Sequence, residues 1–186
     1  MENTSCIICG KTKSLPFIKL KDRLTQNYDT FQLIMCECNF VYLNPRPKEN
    51  QIHRYYHSEM YDPHYISVRR SWALIYKMVQ FFTLRWKYHK IATYFTSGKL
   101  LDIGGGRGEF ASFIAKQGWN VVLQDSLVKM QNMNTQMPYK YVKHLHNIKD
   151  KESFDVITLW HSLEHIHDIS KLYHHIESED WAQVLL

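Results

Sequence analysis

Four cysteines near the start of the chain have the spacing of metal ligands. Cys6 and Cys9 enclose two residues and precede Gly10, and the second pair is Cys36 and Cys38. A Cys-x-x-Cys turn wraps two thiolates around one ion, and four thiolates complete the tetrahedral shell that Zn²⁺ prefers. A segment this small has little apolar core, so the pattern predicts a structural zinc site that stabilises it directly.

Other interpretations of these cysteines stay open at this stage. Four cysteines in a reducing compartment are thiols or metal ligands rather than disulfides. The alternatives to a four-cysteine site are free buried thiols, or a site that uses His53 or His57 instead.

A second group of residues has the types needed to hold a nucleotide-like cofactor. The glycine-rich turn 104–108 follows the apolar run 99–103 directly. Glycines let a ligand approach the main chain closely, and the N–H groups at the start of a helix present a positive end. The turn therefore predicts a cofactor site.

The spacing of the glycines separates the kinds of protein that use such a turn. A phosphate-binding P-loop requires a Lys-Ser/Thr pair, which the segment from Gly104 to Phe110 lacks. The dinucleotide fingerprint, counted from Gly104, places its third glycine at Glu109, where a carboxylate would face the pyrophosphate unfavourably. A nicotinamide-dependent oxidoreductase is therefore the weaker alternative.

The elements that position this turn follow from hydrophobic patterning. The turn predicts a buried strand before it and a helix after it, and later apolar runs predict further strands. Strands that alternate with helices form right-handed crossovers, so the fold class is α/β, with a Rossmann-like parallel sheet and flanking helices. The predicted strands are Lys99–Ile103, Asn120–Gln124, Tyr139–Leu145, Phe154–Trp160 and a beginning fifth at Ala182–Leu186, and the predicted helices are Glu109–Gln117, closed by Gly118, and Ser170–Ile176.

A further helix is predicted ahead of the first parallel strand. Apolar residues recur there at spacings of three and four, which is typical of one helical face, and we expect that face to pack on the sheet. The residues of this stripe are Trp72, Ile75, Met78, Val79, Phe82 and Trp86.

The motif Asp102-x-Gly104-x-Gly106-x-Gly108 resembles the first motif of class I S-adenosylmethionine-dependent methyltransferases. Asp125 and the segment from Phe154 to Asp168, with its Leu-Glu-His, resemble the ends of the second and fourth strands of that superfamily. The resemblance covers about residues 99–176. It implies a seven-stranded sheet, of which the sequence offers only the first strands, so we expect an incomplete fold.

The resemblance implies a role for each residue of the motif. Asp102 would orient the glycine loop and help hold the ammonium group of S-adenosylmethionine, while Gly108 would allow tight helix packing. Asp125 would accept hydrogen bonds from the ribose hydroxyls, or would only cap the next helix. The predicted cofactor-binding residues are Asp102, Gly104, Gly105, Gly106, Asp125, Ser126, Trp160 and His161.

Histidines follow the third and fourth predicted strands. Trp160 and His161 would border the reacting methyl group, and His161 is the candidate catalytic base for a hydroxyl acceptor, unless positioning alone suffices. His161 and His165 lie one helical turn apart and could instead hold a metal. Relatives often carry an acid that meets the adenine amino group, whereas this chain has His144 and His146 there.

The cysteine segment resembles the zinc-ribbon-like leader that precedes some class I methyltransferases. The aromatic strand and proline-rich exit from Phe40 to Pro47 and the tyrosines Tyr55, Tyr56 and Tyr61 carry this resemblance. The leader usually has two residues between its second pair of cysteines, so the single Glu37 strains simultaneous ligation. The expected organisation is a zinc-ribbon-like module over 1–47, a helical connecting segment over 48–96 and a partial methyltransferase domain over 97–186.

Composition and charge bound the remaining choices. The formal charge of +5 is spread along the chain, which favours a small-molecule acceptor over nucleic acid. No apolar run is long enough for a membrane span and no secretory signal is visible, so the expected location is the cytoplasm. The oligomeric state stays open.

The sequence thus predicts a methyltransferase that uses S-adenosylmethionine and acts on an unidentified acceptor. The alternatives are a cofactor-binding remnant without catalysis and a zinc-dependent interaction module.

Overall fold

The computed structural model describes residues 1–22, 29–56, 70–126, 137–148, 153–178 and 184–185. The chain forms two compact units, Met1–Val68 and Arg69–Leu186. The expected division into three segments, with boundaries at 47/48 and 96/97, stays a prediction.

The first unit is built on a small antiparallel sheet. Strand β1 (Ser14–Lys21) pairs with β2 (Thr30–Cys36), which pairs with β3 (Val41–Leu43). A 3-10 turn (Glu49–Gln51) and the short helix α1 (His53–Tyr56) follow. Among the described residues of this unit, the buried apolar side chains are Cys6, Ile34, Cys36 and Pro47. Two of these four are cysteines, so thiols make up half of a very small core.

The second unit is an α/β layer structure whose strands are all parallel. The strands lie in the order β6-β5-β4-β7-β8, so the chain adds β5 and β6 on one side of β4 and β7 and β8 on the other. This order confirms the predicted Rossmann-like sheet with flanking helices. Its elements are α2 (Arg70–Ala92), β4 (Lys99–Ile103), α3 (Glu109–Ala115), β5 (Asn120–Gln124), β6 (Lys140–Val142), β7 (Val156–Thr158), α4 (Ile169–Ser178) and β8 (Val184–Leu185).

The core of this unit lies on both faces of the sheet. Side chains of β4 alternate between two apolar clusters, one built around Leu101, Val122 and Ile157 and the other around Leu100 and Val121. Strands covered on both faces are expected to be mostly apolar, and the buried residues of β4, β5 and β7 are apolar except for Asp102, Gln124 and Thr158. Ligands of such open sheets bind outside the carboxyl ends of the strands where the order reverses, here between β4 and β7.

Two predicted strands have the observed bounds, and two are shorter than predicted. β4 and β5 agree with the prediction residue by residue, whereas β6 and β7 cover only three residues each. The third predicted strand ends early because residues Leu145–Asn147 form a 3-10 turn. The fourth ends early because the chain turns after Leu159, and His161 adopts a left-handed conformation with φ 54°.

The prediction for the helix before the sheet is right about the helix and wrong about its packed face. The stripe is exposed along α2, with relative exposures of 46% for Ile75 and 61% for Phe82, whereas Ile91 is fully buried. Phe82 and Ile91 are nine residues apart, which is a rotation of about 180° around a helix. Leu84, Tyr88 and Ile91 therefore form the packed face. The side chain of Trp72 lies outside the described residues.

α2 is the longest helix that the structure describes, with 23 residues. No helix among the described residues combines the length and the hydropathy that crossing a bilayer requires.

Candidate cofactor site and candidate metal centre

The glycine loop connects β4 to α3 and requires glycine at three positions. Gly104, Gly106 and Gly108 have φ values of 67°, 57° and 74°. Residues with a Cβ rarely adopt this left-handed region. Gly108 is also the N-cap of α3, so the loop turns the chain directly into the first turn of that helix.

The space around the loop differs from glycine to glycine. A Cβ at Gly104 would lie 2.5 Å from the Cβ of Ser162, and one at Gly108 would collide with the hydroxyl of Tyr139. A Cβ at Gly106 would meet no atom within 4 Å. Neighbouring side chains therefore pack against the loop at Gly104 and Gly108, whereas Gly106 is open and a ligand can lie against its backbone.

Asp102 lies beneath this loop as a buried carboxylate. It is 1% exposed, and its Oδ1 accepts a hydrogen bond of 2.7 Å from Thr158 Oγ1. Its Oδ2 is buried without a hydrogen-bond partner. Burial raises the pKa of Asp102 from 3.8 to about 6, while the Thr158 hydrogen bond and the charge of Lys87 act in the opposite direction. A buried oxygen without a hydrogen bond lowers the stability of the fold, and a cation bound above the loop would stabilise the ionised form of Asp102.

Asp125 ties the glycine loop to the end of the neighbouring strand. It follows β5, is 9% exposed, and its Oδ2 accepts a hydrogen bond of 2.9 Å from the N–H of Gly106. Its own carbonyl accepts a hydrogen bond from the hydroxyl of Tyr141. Ser126 comes next and is exposed. The helix that Asp125 was expected to cap would begin at residue 127, which lies outside the described residues.

Two further polar residues fix the loop from the β7 side, and sequence reasoning missed both as site residues. The hydroxyl of Ser162 donates a hydrogen bond of 2.8 Å to the carbonyl of Ile103, where β4 ends. Thr158 holds Asp102 as described above. The available signal was a threonine inside the otherwise apolar run of β7, since a buried hydroxyl needs a partner.

Trp160 and His161 both follow β7 but lie in different surroundings. The Trp160 ring packs edge-on against Phe110 at 5.7 Å and contacts Trp86 at 6.0 Å, so it belongs to the cluster beneath α2 and α3. Its indole Nε1 is buried without a hydrogen-bond partner. The side chain of His161 is exposed. The roles assigned to both residues stay predictions.

The histidines that follow β6 form a stacked pair. The rings of His144 and His146 lie 5.1 Å apart and are nearly parallel. They flank the first residue of the 3-10 turn after β6, at the carboxyl edge of the sheet. Two alternatives stay open for this pair, since either histidine could accept the hydrogen bond from the adenine amino group that an acid accepts in relatives, or both could be plain surface residues.

The four cysteines converge in the first unit. Cys6 Sγ lies 3.6 Å from Cys38 Sγ, and Cys9 Sγ lies 3.5 Å from Cys36 Sγ. All four sulfur atoms lie within 4.8 Å of one another. A tetrahedral zinc ion with Zn–S distances of about 2.3 Å separates its sulfur ligands by roughly 3.8 Å, so the cluster is close to the required size.

Two tight turns bring the thiols together. Gly10 N–H donates to the carbonyl of Cys6, and Asn39, with φ 67°, donates its N–H to the carbonyl of Cys36. The second turn shows that one residue between Cys36 and Cys38 suffices to bring both sulfur atoms to the cluster. His57 and the side chain of His53, the alternative ligands, lie outside the described residues. Among the described residues, the cysteines form the one group of at least three potential ligands, and His161 and His165 form none.

The surroundings of Cys6 favour its thiolate, whereas burial and hydrogen bonds with the Cys9 and Cys6 side chains raise the pKa of Cys36. Burial raises the pKa of the Cys6 thiol, but the N–H groups of Cys9 and Ile8 and the neighbouring thiols together lower it to about 7. Lys11 and Lys13 lie beside the cluster and pair with Glu37 at 3.1 and 2.8 Å. Because the thiolate is the form that binds metal, this set of donors fits a zinc ion.

Comparison with known proteins identifies the family. The family described as "Methyltransferase domain" matches residues 81–179, which is just over half of the chain. The chain belongs to this methyltransferase family. Among solved structures, an S-adenosylmethionine-dependent methyltransferase from Methanosarcina mazei matches with 19% identity and a TM-score of 0.33, over 47% of this chain and 49% of that one. The match thus spans about half the length of that protein. A search of curated proteins found no match.

The range matched to the methyltransferase family contains the whole candidate cofactor site. It begins inside α2, includes the glycine loop, Asp125 and the end of β7, and runs past α4. The resemblance to class I S-adenosylmethionine-dependent methyltransferases is thereby confirmed. The cysteine cluster precedes the matched range, and its geometry fits a zinc-ribbon-like leader in front of the methyltransferase domain.

Proposed function

We propose that this methyltransferase binds S-adenosylmethionine at the glycine loop and transfers its methyl group to a small-molecule acceptor. The observation that carries the proposal is the meeting of Asp102 and Asp125 at the loop, with open space at Gly106. Membership of the family supports the cofactor, and the evenly spread charge supports a small acceptor over nucleic acid.

Each residue of the loop has a separate task in binding. Asp102 supplies a negative charge under the loop that attracts the ammonium group of the cofactor. A carboxylate accepts several hydrogen bonds at once, so Asp125 can hold Gly106 and also accept from the ribose hydroxyls. Gly104 and Gly106 let the cofactor lie on the backbone, next to Gly105, while Trp160 closes the apolar side of the loop.

The chemistry requires little from the protein beyond position. The bound cofactor supplies a sulfonium methyl group, which moves to the acceptor while the electron pair of the broken C–S bond stays on sulfur. A hydroxyl acceptor also loses a proton, and we assign His161, exposed at the end of β7, as the base that takes it. Holding the acceptor in line with the C–S bond is the remaining contribution to the rate.

We further propose that the four cysteines bind one structural zinc ion. Their convergence within 4.8 Å and the small core of the first unit support this assignment. Because none of the four cysteines forms a disulfide, a reducing compartment such as the cytoplasm suits the protein.

Titration calorimetry with S-adenosylhomocysteine tests the cofactor site. We compare the unaltered chain with Asp125→Asn and with the matched control Asp155→Asn, whose carboxylate accepts from the N–H of Lys99 at the opposite end of β4. Loss of charge-assisted hydrogen bonds to the ribose should weaken binding by about 10- to 100-fold in Asp125→Asn. The control should stay within about twofold of the unaltered chain.

Two results would contradict the proposal at different levels. A folded chain that binds no S-adenosylhomocysteine would exclude the cofactor site altogether. Binding without methyl transfer, measured with labelled S-adenosylmethionine across hydroxyl, amine and thiol acceptors, would instead support the cofactor-binding remnant.

A further inference from the structure

Lys87 is a cation in an unusual place. It lies on the packed side of α2 and is half-buried, and its Nζ lies 4.9 Å from the ring centroid of Trp160 and 5.6 Å from that of Phe110. Burial lowers the pKa of Lys87, while the charges of Asp102 and Glu109 raise it. Within the described part of the chain, its ammonium group makes neither an ion pair nor a hydrogen bond.

An ammonium group in this position is incompletely stabilised. Two aromatic rings attract a cation through their faces, but they replace only part of the hydration that burial removes. Unpaired charges that are partly withdrawn from water are uncommon and usually have an anionic partner. The structure therefore leaves a position beside Lys87 that an anionic group of a ligand would fill favourably.

The location of Lys87 indicates which ligand this is. Phe110 lies in the first turn of α3, directly after the glycine loop, and Trp160 follows β7. Lys87 therefore lies at the same end of the sheet as the unpartnered Oδ2 of Asp102. The two residues influence each other electrostatically without forming an ion pair. The Asp102 oxygen accepts no hydrogen bond, and the Lys87 ammonium group makes no ion pair or hydrogen bond within the described residues. Together they match a ligand group that carries both an ammonium and a carboxylate.

We propose that Lys87 binds the carboxylate of the methionine part of S-adenosylmethionine, while Asp102 attracts the ammonium group. This inference rests on the proposed function, since it concerns the same ligand. Phe110 and Trp160 act as positioning residues, because their rings hold the lysine side chain beside the loop. Lys87 thereby makes the site selective for nucleosides that carry a complete amino-acid group.

A cycle between protein and ligand tests this assignment. Calorimetry compares S-adenosylmethionine with decarboxylated S-adenosylmethionine, which lacks only the carboxylate, in the unaltered chain, Lys87→Met and Lys87→Gln. The unaltered chain should bind the complete cofactor about 10- to 100-fold more tightly than the decarboxylated one. That preference should fall to about threefold or less in both variants.

Lys90→Met is the matched control, because Lys90 lies on the same helix with its Nζ 5.5 Å over the ring of Trp86. It should keep the full preference for the carboxylate. Equal weakening of both ligands in the Lys87 variants, or no weakening of either, would overturn the role of Lys87. An unaltered, folded chain that binds neither ligand would overturn the proposed cofactor site itself, which is a distinguishable result.

Discussion

Replacement of Asp102 by asparagine should remove a loss of stability that the second unit of the unaltered chain undergoes between acidic and neutral pH. The pKa of this carboxyl is raised from 3.8 to about 6 in the folded protein, so the fold favours its protonated form. The resulting stabilisation is fully present below pH 3.8 and is lost as the pH rises through about 6. Asparagine does not titrate, so the variant lacks this loss.

The size of the effect follows from the pKa difference. One pKa unit corresponds to about 1.4 kcal/mol, so the raised pKa of the fully buried carboxyl corresponds to about 3 kcal/mol. The free energy of unfolding of Asp102→Asn, minus that of the unaltered chain, should therefore increase by about 2 to 2.5 kcal/mol between pH 4 and pH 7, because part of the loss already occurs below pH 4. The absolute size of this difference at any one pH also includes the free-energy cost of burying the asparagine amide, which does not depend on pH.

Chemical denaturation followed by tryptophan fluorescence measures this difference. All five tryptophans lie in the second unit, so the signal reports the unit that contains Asp102. Thr158→Val is the companion variant, because it removes the hydrogen bond that lowers the pKa of Asp102. It should move the pH-dependent loss to higher pH. A difference between Asp102→Asn and the unaltered chain that does not change from pH 4 to pH 7 would refute the raised pKa.

Three further predictions concern the loop, the metal centre and the helix face. Gly106→Ala should lower the free energy of unfolding by only about 1 to 2 kcal/mol, since the new Cβ has open space, but calorimetry should detect no S-adenosylhomocysteine binding. Gly108→Ala should lower the free energy of unfolding more, because its Cβ also collides with the Tyr139 hydroxyl. Equal stability losses would contradict this. Cys38→Ser should lower the zinc content measured by mass spectrometry from one ion per chain, and unchanged zinc would exclude a four-cysteine site. Ile91→Ala should destabilise by about 2 to 5 kcal/mol and Phe82→Ser by less than about 0.5 kcal/mol in denaturation, and the reverse order would contradict the observed packed face.

The parts of the fold that depend on local patterning could be predicted from the sequence. β4 and β5 have their predicted bounds because each is a mostly apolar segment buried on both faces and limited by a glycine or a polar residue. The glycine loop was found because its left-handed positions require one residue type. The ends of β6 and β7 depend on where a turn begins, and apolar residues continue past that point.

The missed residues are those whose role arises only from tertiary contact. Thr158 and Lys87 have no distinctive spacing in the sequence, and their partners lie far away along the chain. The packed face of α2 is predicted wrongly for a related reason. Its most regular apolar stripe includes Phe82, but the packed face is set by the apolar cluster of the sheet and α3, which includes Ile91 and contacts Tyr88.

The position of β4 within the sheet has a consequence for how the protein folds. β4 is the first strand of its sheet in the chain and lies at its centre, between β5 and the much later β7. Thr158 and Ser162 reach Asp102 and Ile103 across 56 and 59 residues. Contacts this distant carry a loop-closure entropy cost that slows folding. On the ribosome, a nascent chain whose residues up to Ser162 have not yet emerged therefore lacks two of the hydrogen bonds that hold the end of β4 at the glycine loop.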